Sequence, residues 1–274
     1  METFTIDGPR IELPQVRNGI QLFAPIGNIW LRSGSTAWLE KSYSVSAADL
    51  ATANLIVTHS TIETRQVDGG KTLISMHPPQ DCPFEALAAD SVLSIPARLD
   101  VDLRTTLGLI DMRSYTARNA TVRTRDGNLV IGTVEGKLEF SSESGRVEIA
   151  GSVLEANGST TTGPIIVSKV PPGASYEFET LNASCTIRIP AVASIEVIHR
   201  TRTGVLRVDF EDTTSERRFV PLDDGWNERT IRFTGAPGIA RKSTIVFRSE
   251  QGNLDLTRPT PPRVPVPDPT AASR

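Results

Sequence analysis

Apolar and polar residues alternate along most of the chain, and the alternation pauses repeatedly at a short Gly-containing motif. The motif reads Ser or Thr, two residues, Gly, and then apolar residues two and four positions later. Alternation with a period of two is typical of a half-buried β-strand, so each copy predicts two strands joined by a tight turn. The copies span residues 105–112, 124–131, 142–149, 160–167, 180–187, 201–208 and 249–256, and their turn positions, called pivots below, are Gly108, Gly127, Gly145, Gly163, Ala183, Gly204 and Gly252.

The spacing of the pivots favours one architecture. Successive pivots are separated by 19, 18, 18, 20, 21 and 48 residues. One such repeat matches a rung of a β-solenoid, in which each rung buries its apolar edge against its neighbours. An antiparallel β-sandwich built from the same hairpins is the alternative, but it does not require near-constant spacing. We therefore predict an all-β chain that forms a single β-solenoid of stacked strand-turn-strand rungs.

Two features of the repeat suggest why the turns form. Gly is expected at the pivot because a sharp turn commonly needs a positive φ angle. The Ser or Thr three residues earlier falls on the inward side of the arriving strand, where its hydroxyl can satisfy backbone groups of the turn. We expect these residues to form a stacked ladder of Thr105, Thr124, Ser142, Thr160, Thr180, Thr201 and Ser249.

Two inserts and a tail interrupt the repeat, within a predicted solenoid domain of residues 1–257. The first insert, about 36–97, contains a hairpin of 61–67 and 71–76 joined by Asp68-Gly69-Gly70, preceded by one or two helical turns in 46–53 and a strand in 54–59. The second, about 209–244, contains a hairpin-like unit that turns at 223–225. Residues 258–274 carry six of the chain's 19 prolines and are predicted to be a disordered tail.

Residues 99–112, 122–134, 138–151 and 245–256 resemble successive rungs of the toastrack-type, putative-adhesin family of bacterial β-solenoid domains. The resemblance extends over about residues 3–257 and lies in the repeated pattern. It implies a role in adhesion, scaffolding or sensing linked to the bacterial envelope. It provides no catalytic residues.

Composition excludes several classes of function. The formal net charge of −3 gives no basic surface for nucleic acid, so we predict no nucleic-acid partner. The two cysteines, Cys82 and Cys185, are too few for a disulfide framework and are not clustered as metal ligands are. The three histidines share no spacing, and His199 falls on the inward side of its strand, where we expect a hydrogen-bonded core residue. We predict no metal and no cofactor.

The chain also lacks targeting signals. Residues 1–10 contain neither a basic region nor the apolar run of a secretory signal, and no window of about 18 apolar residues occurs. We therefore predict no membrane span and a cytoplasmic location, and peripheral association with the envelope stays open.

Four arginines form the candidate ligand-binding set. Arg104, Arg123, Arg200 and Arg248 occupy the outward position four residues before their pivots. Neighbouring rungs lie about 4.8 Å apart, so Arg104 and Arg123 could together clamp a carboxylate, a phosphate or a sulfated sugar. The alternative is a solvated charged face on which Glu179 pairs with Arg200 one rung along.

The sequence does not favour an enzyme. Glycoside cleavage needs paired carboxylates, but Asp111 and Glu148 are separated by a rung that carries Val130. A nucleophile formed by Cys82 and His77 would need a third orienting group. The leading hypothesis is a non-enzymatic binding or scaffold module that contacts a protein partner or further copies of itself. The alternative is an acidic-glycan-binding or carbohydrate-active β-helix protein. A third idea makes the Pro-rich tail a docking peptide.

Overall fold

The structure is a computed structural model of the chain, and it describes residues 1–13, 16–79, 82, 86–190, 194–210, 215–234 and 241–258. Strands dominate this part of the chain, which confirms the all-β prediction. The strands are β1 (Glu2–Asp7), β2 (Ile11–Glu12), β3 (Gly19–Ile26), β4 (Ile29–Ser33), β5 (Trp38–Ala47), β6 (Thr61–Val67), β7 (Lys71–His77), β8 (Leu87–Ile95), β9 (Asp100–Leu107), β10 (Ile110–Ala117), β11 (Ala120–Asp126), β12 (Leu129–Ser142), β13 (Val147–Ile149), β14 (Val153–Thr160), β15 (Ile165–Val167), β16 (Ser175–Thr180), β17 (Cys185–Arg188), β18 (Ile195–Thr201), β19 (Leu206–Val208), β20 (Ser215–Pro221), β21 (Asn227–Phe233), β22 (Ser243–Ser249) and β23 (Leu254–Thr257), and the helix is α1 (Leu50–His59).

The strands form two stacks, and each rung contributes one strand to each stack. The first stack runs β6, β7, β3, β9, β11, the second half of β12, β14, β16, β22, β18, β21 and β20. The second stack runs β1 with β2, β5, β8, β4, β10, the first half of β12, β13, β15, β17, β23 and β19. From β7 to β18 and from β8 to β19 the neighbours are parallel, as in a solenoid and unlike the antiparallel sandwich.

The rungs are not stacked in chain order. The last repeat, β22 and β23, lies between the rung of β16 and β17 and the rung of β18 and β19. The pivot Gly252 therefore packs between Ala183 and Gly204. Because β18 is outermost among the parallel strands, the hairpin of β20 and β21 can cover its outer edge. The rung containing Gly204 consequently ends the second stack at β19.

The hairpins predicted in the two inserts are both confirmed, since β6 pairs with β7 and β20 pairs with β21 in antiparallel register. The first insert differs from its prediction in one segment. The strand predicted for residues 54–59 is wrong, because α1 continues through His59. The carboxylate of Asp49 caps the helix by accepting the N–H of Thr52 at 2.7 Å, and Ala53 is buried. The cap and this packing outweigh the strand propensity of Ile56 and Val57.

The pivots form a column at the corner between the stacks. A Cβ atom placed on Gly145 would overlap the backbone carbonyl oxygen of Gly127, and the same overlap recurs along the column. Of the six pivot glycines of the main repeat, only Gly108 has φ in the left-handed region, at 136°. Positive φ is therefore the wrong general reason for these glycines. They are required because successive backbones approach too closely for a side chain.

Candidate functional site

The hydroxyl ladder predicted from the repeat lies beside the pivot column, and all seven of its side chains are buried. The Thr201 hydroxyl accepts the N–H of Gly204 at 2.8 Å, and Ser142 accepts that of Gly145 at 3.1 Å. These bonds confirm that the hydroxyls satisfy turn backbone. Thr124 is an exception, because its buried hydroxyl has no hydrogen-bond partner among the residues described.

The four candidate arginines lie on the outer face of the first stack in two separate pairs. Arg104 is directly opposite Arg123, and Arg248 is directly opposite Arg200. Three strands lie between the pairs, which places them about 19 Å apart. The structure therefore does not bring the four side chains to one site.

Each pair contains one guanidinium group that is already engaged. Arg104 donates to both carboxylate oxygens of Asp102, at 2.8 and 2.7 Å, and this bond raises the pKa of Arg104. Arg200 donates to Glu228 at 2.9 Å. The predicted pairing of Glu179 with Arg200 one rung along is wrong, because the β22 strand lies between their strands.

The carboxylates considered for glycoside cleavage are also held in ion pairs. Asp111 and Glu148 both lie opposite Val130 on neighbouring strands, so they are about 10 Å apart. Asp111 pairs with Arg113 at 3.0 Å, and Glu148 pairs with Arg146 at 2.7 Å. Within the described ranges no group of three or more His, Cys, Asp or Glu side chains could hold a metal ion.

His199 is buried, and neither ring nitrogen makes a hydrogen bond of standard geometry in the described part of the chain. The backbone of Gly252 is close enough to favour protonation of the ring, so the prediction of a hydrogen-bonded core histidine is confirmed only in its burial and in this weaker contact. The ring is stacked on Phe247, with 5.4 Å between the centroids. Burial lowers the pKa of His199 to about 4, so the ring is neutral at pH 7.

The cysteines are not activated nucleophiles. Burial raises the pKa of the Cys82 thiol and that of the Cys185 thiol, so both favour the protonated form. His77 lies 3.7 Å from the Glu63 carboxylate, on the exposed hairpin of the first insert.

Lys41 is a buried charged residue that the sequence analysis missed. Only 2% of its surface is exposed, and its Nζ atom contacts Met76 Sδ at 2.9 Å. Burial lowers its pKa to about 8. The alternation in β5 provides the signal, because Lys41 shares the inward side with Leu39 and Tyr43.

One open end of the molecule is the end of the second stack at β19. On one edge, the Val205 carbonyl accepts the N–H of Leu254 and the Asp209 N–H donates to Leu256, both at 2.9 Å. Backbone groups alternate in direction along a strand, so the N–H groups of Leu206 and Val208 point to the other edge. No strand within the described ranges pairs with that edge.

The first stack continues past this edge. Its strands β21 and β20 extend two positions beyond β18, which is the first-stack strand of the same rung as β19. Two strand positions correspond to about 10 Å. The inward side of the hairpin therefore faces a gap at the end of the second stack.

A cleft of about 280 Å³ fills this gap, and we call it the C-terminal cleft. Its apolar wall comprises Leu206, Val208, Phe219 and Ile231, and its basic wall comprises Arg217 and Arg229, whereas the Arg218 side chain lies on the opposite face of β20. Phe219 is 57% exposed. Arg229 is held in place by donating to the Gly204 carbonyl at 2.6 Å, whereas Arg217 and Arg218 have no ion-pair partner in the described chain.

At the other end of the solenoid, a helix covers apolar side chains of the second stack. There α1 packs against β5 and β1 and shares an apolar cluster with Tyr43, Val45 and Met76. Among the described residues no helix is long and apolar enough to cross a membrane.

Comparison with known proteins gives structural matches only. No family model and no curated protein matches the chain. A putative adhesin from Parabacteroides merdae is 12% identical, with 94% of this chain and 97% of that one covered and a TM-score of 0.44. A putative lipid binding protein from Parabacteroides distasonis is 11% identical, with 94% of each chain covered and a TM-score of 0.39. A putative cell adhesion protein from Clostridium sporogenes is 7% identical, with 94% and 99% covered and a TM-score of 0.31. Putative adhesins, the class that the sequence resembles, are thus among the matches, and at these values the matches support no inference about function.

Proposed function

We propose that the chain is a non-enzymatic binding or scaffold module that contacts a protein partner, or further copies of itself, through its C-terminal end. One observation carries the proposal: one edge of β19 has no partner strand among the described residues, and this edge lies beside an apolar cleft. Unpaired edges are templates for strand addition, and natural proteins usually protect them.

The lateral face supports the glycan alternative less well. The candidate clamp of Arg104 and Arg123 is half occupied, because Arg104 is bound to Asp102 through both carboxylate oxygens. A ligand there would have to compete with a two-bond ion pair. In the part of the chain that the structure describes, no acidic side chain pairs with Arg217 in the C-terminal cleft.

The test measures hydrogen exchange at two backbone amides. Contact at this end predicts that the Leu206 and Val208 amides exchange more slowly in a complex, or in concentrated samples if copies associate. Fast exchange of both amides in every such sample would contradict the proposal.

Self-contact has its own test. Analytical ultracentrifugation at rising concentration should show increasing mass for the unmodified chain and less increase for Val208→Pro, which removes one edge N–H without breaking a bond to β23. Val208→Ala is the matched control, because it trims the side chain and keeps the N–H. A constant monomer mass would restrict the proposal to a foreign protein partner.

A cytoplasmic location, or peripheral association with the envelope, is part of the same proposal. Cell fractionation with an antibody against the full chain tests it, and recovery outside the cell would contradict it.

A further inference from the structure

The C-terminal cleft has a chemical character that narrows the kind of partner it fits. This inference rests on the proposed function, because it names what binds at that end. We propose that the partner is an extended acidic segment of another protein, with alternating apolar side chains, which adds as a strand to the free edge of β19.

The first argument is the direction of the backbone groups. The N–H groups of Leu206 and Val208 point away from β23, since Val205 and Asp209 supply the bonds on the β23 side. An extended guest strand satisfies both groups with its own carbonyls. A helix would leave them unpaired.

The second argument is the apolar wall. Leu206 and Val208 are only half-buried at the end of the stack, and Ile231 faces them from β21. In each inner rung, a neighbouring strand covers the equivalent side chains. Because side chains of a strand alternate between faces, a guest with apolar residues at every second position covers this wall as an inner rung does.

The third argument is charge. The charged side chains on the inward side of the hairpin are the arginines Arg217 and Arg229, and Arg217 has no ion-pair partner among the residues described. On the outer side of β19, Arg207 is 62% exposed and lies 3.9 Å from the Asp255 carboxylate. Carboxylates on a guest strand would pair with these groups, whereas a basic guest would be repelled.

A second copy of this chain fits the cleft less well. At the opposite end, the second stack ends in β1, whose inward side chains Phe4 and Ile6 already pack against the apolar cluster with α1. The overhanging hairpin of β20 and β21 would have to occupy the same side of β1 as that helix. We therefore favour a foreign strand over the N-terminal end of another copy.

The experiment uses the full chain and three fluorescein-labelled peptides. The acidic probe is EVTVEVTVE, and the matched probes QVTVQVTVQ and KVTVKVTVK change only the charged positions. We expect saturable binding of the acidic probe, at least tenfold tighter than that of either matched probe, with slower exchange of the Leu206 and Val208 amides.

Variants locate the binding. Arg217→Glu should weaken binding of the acidic probe at least tenfold. Arg188→Glu changes the charge equally at an exposed position elsewhere, and should change binding less than twofold. If a variant fails to fold, hydrogen exchange of the Leu206 and Val208 amides in the unmodified chain, measured with the acidic probe, still shows whether the probe binds at this edge.

Three results would overturn the inference in different ways. If the neutral probe protects both amides as strongly as the acidic probe does, strand binding at β19 would stand and the preference for an acidic partner would be excluded. Binding that leaves both amides unchanged, or that Arg188→Glu abolishes, would exclude the cleft. If the acidic probe binds to a chain truncated after Arg258 but not to the full chain, residues 259–274 occupy the free edge of β19 and a foreign strand does not.

Discussion

The imidazole of His199 lies on the ring of Phe247 in the outermost pair of parallel rungs, with 5.4 Å between centroids and an interplanar angle of 22°. Neither nitrogen makes a hydrogen bond of standard geometry in the described chain, and a backbone contact with Gly252 offsets only part of the effect of burial on the pKa of His199. A titratable ring thus sits in apolar packing close to the open end. Below neutral pH the arrangement has a cost, because protonation puts an unpaired charge in the core.

Stability should fall as pH decreases because of His199. Its pKa is about 4 when folded and about 6.5 when unfolded, so the unfolded state binds more protons between these values. The loss begins near pH 6.5, is complete near pH 4 and amounts to about 3 kcal/mol. Urea unfolding of the wild type and of His199→Leu measures it as the difference between the two pH profiles. Parallel profiles from pH 7 to pH 4 would contradict it.

Lys41→Met should stabilise the protein. The folded pKa of Lys41 is about 8, below the ordinary 10.5, so at pH 7 the chain buries a charge at a cost of about 3 kcal/mol. The gain should shrink as pH rises from 8 to 10.5. Above pH 8 the folded lysine is neutral, and the cost of removing its proton falls to zero as the pH approaches 10.5, where the unfolded lysine also loses its charge. Chemical denaturation at pH 7 and pH 10 measures both values. Lys137→Met, at an exposed ion pair with Glu139, is the control and should leave stability nearly unchanged.

Two rungs of the hydroxyl ladder should respond differently to the same change. Thr201→Val leaves the buried N–H of Gly204 without its partner and should cost about 1–3 kcal/mol. Thr124→Val removes a hydroxyl that has no partner, and should change stability by less than about 0.5 kcal/mol or increase it. Thermal unfolding of the two variants checks this, and equal losses would show that the ladder does not act through these bonds.

Gly145→Ala should destabilise the protein strongly, although it adds only one methyl group. The added Cβ would overlap the Gly127 carbonyl oxygen, so two rungs must separate, at a cost of about 3 kcal/mol or more. Glu143→Ala is the control, because Glu143 is exposed two residues earlier in the same turn. Denaturant midpoints that agree for the two variants would show that the corner column tolerates a side chain.

The repeat predicted the strands well because alternation and the pivot motif are local. A bond network at the corner was missed: Asn128 Oδ1 accepts the N–H of Arg146 at 2.9 Å, and Asn253 Oδ1 accepts that of Val205 at 2.9 Å. The recurring Gly-Asn dipeptide was a visible signal for it. The hydrogen bonds themselves could not be predicted, because the acceptor and the donor belong to different rungs.

The order of the rungs could not be predicted. The strands β18 and β22 carry the same inward pattern, with Val197 opposite Ile245 and His199 opposite Phe247. Either strand could follow β16 on local grounds. The choice depends on where the hairpin of β20 and β21 finds an edge to cover, which is a property of the assembled stack. The free edge of β19 was hidden for the same reason, since its residues read like those of an inner rung.

The predicted Pro-rich tail, residues 258–274, lies outside the described residues except for Arg258. That side chain donates to the carbonyls of Ile189 and Pro190 at 3.2 and 2.8 Å and lies over the ring of Phe210. The chain is therefore anchored at the end of β23, beside the rung that carries the candidate contact surface.

The measurement that tests the account most directly is disulfide formation between outward positions of the last rungs. Glu179 is directly opposite Arg248, whereas Arg200 is one strand further away. Glu179→Cys with Arg248→Cys should form a disulfide under mild oxidation, because neighbouring strands bring the Cα atoms within bonding range, while Glu179→Cys with Arg200→Cys should stay reduced. The reverse result would place β18 inside the stack, give β19 a partner on both edges and contradict the proposed contact surface.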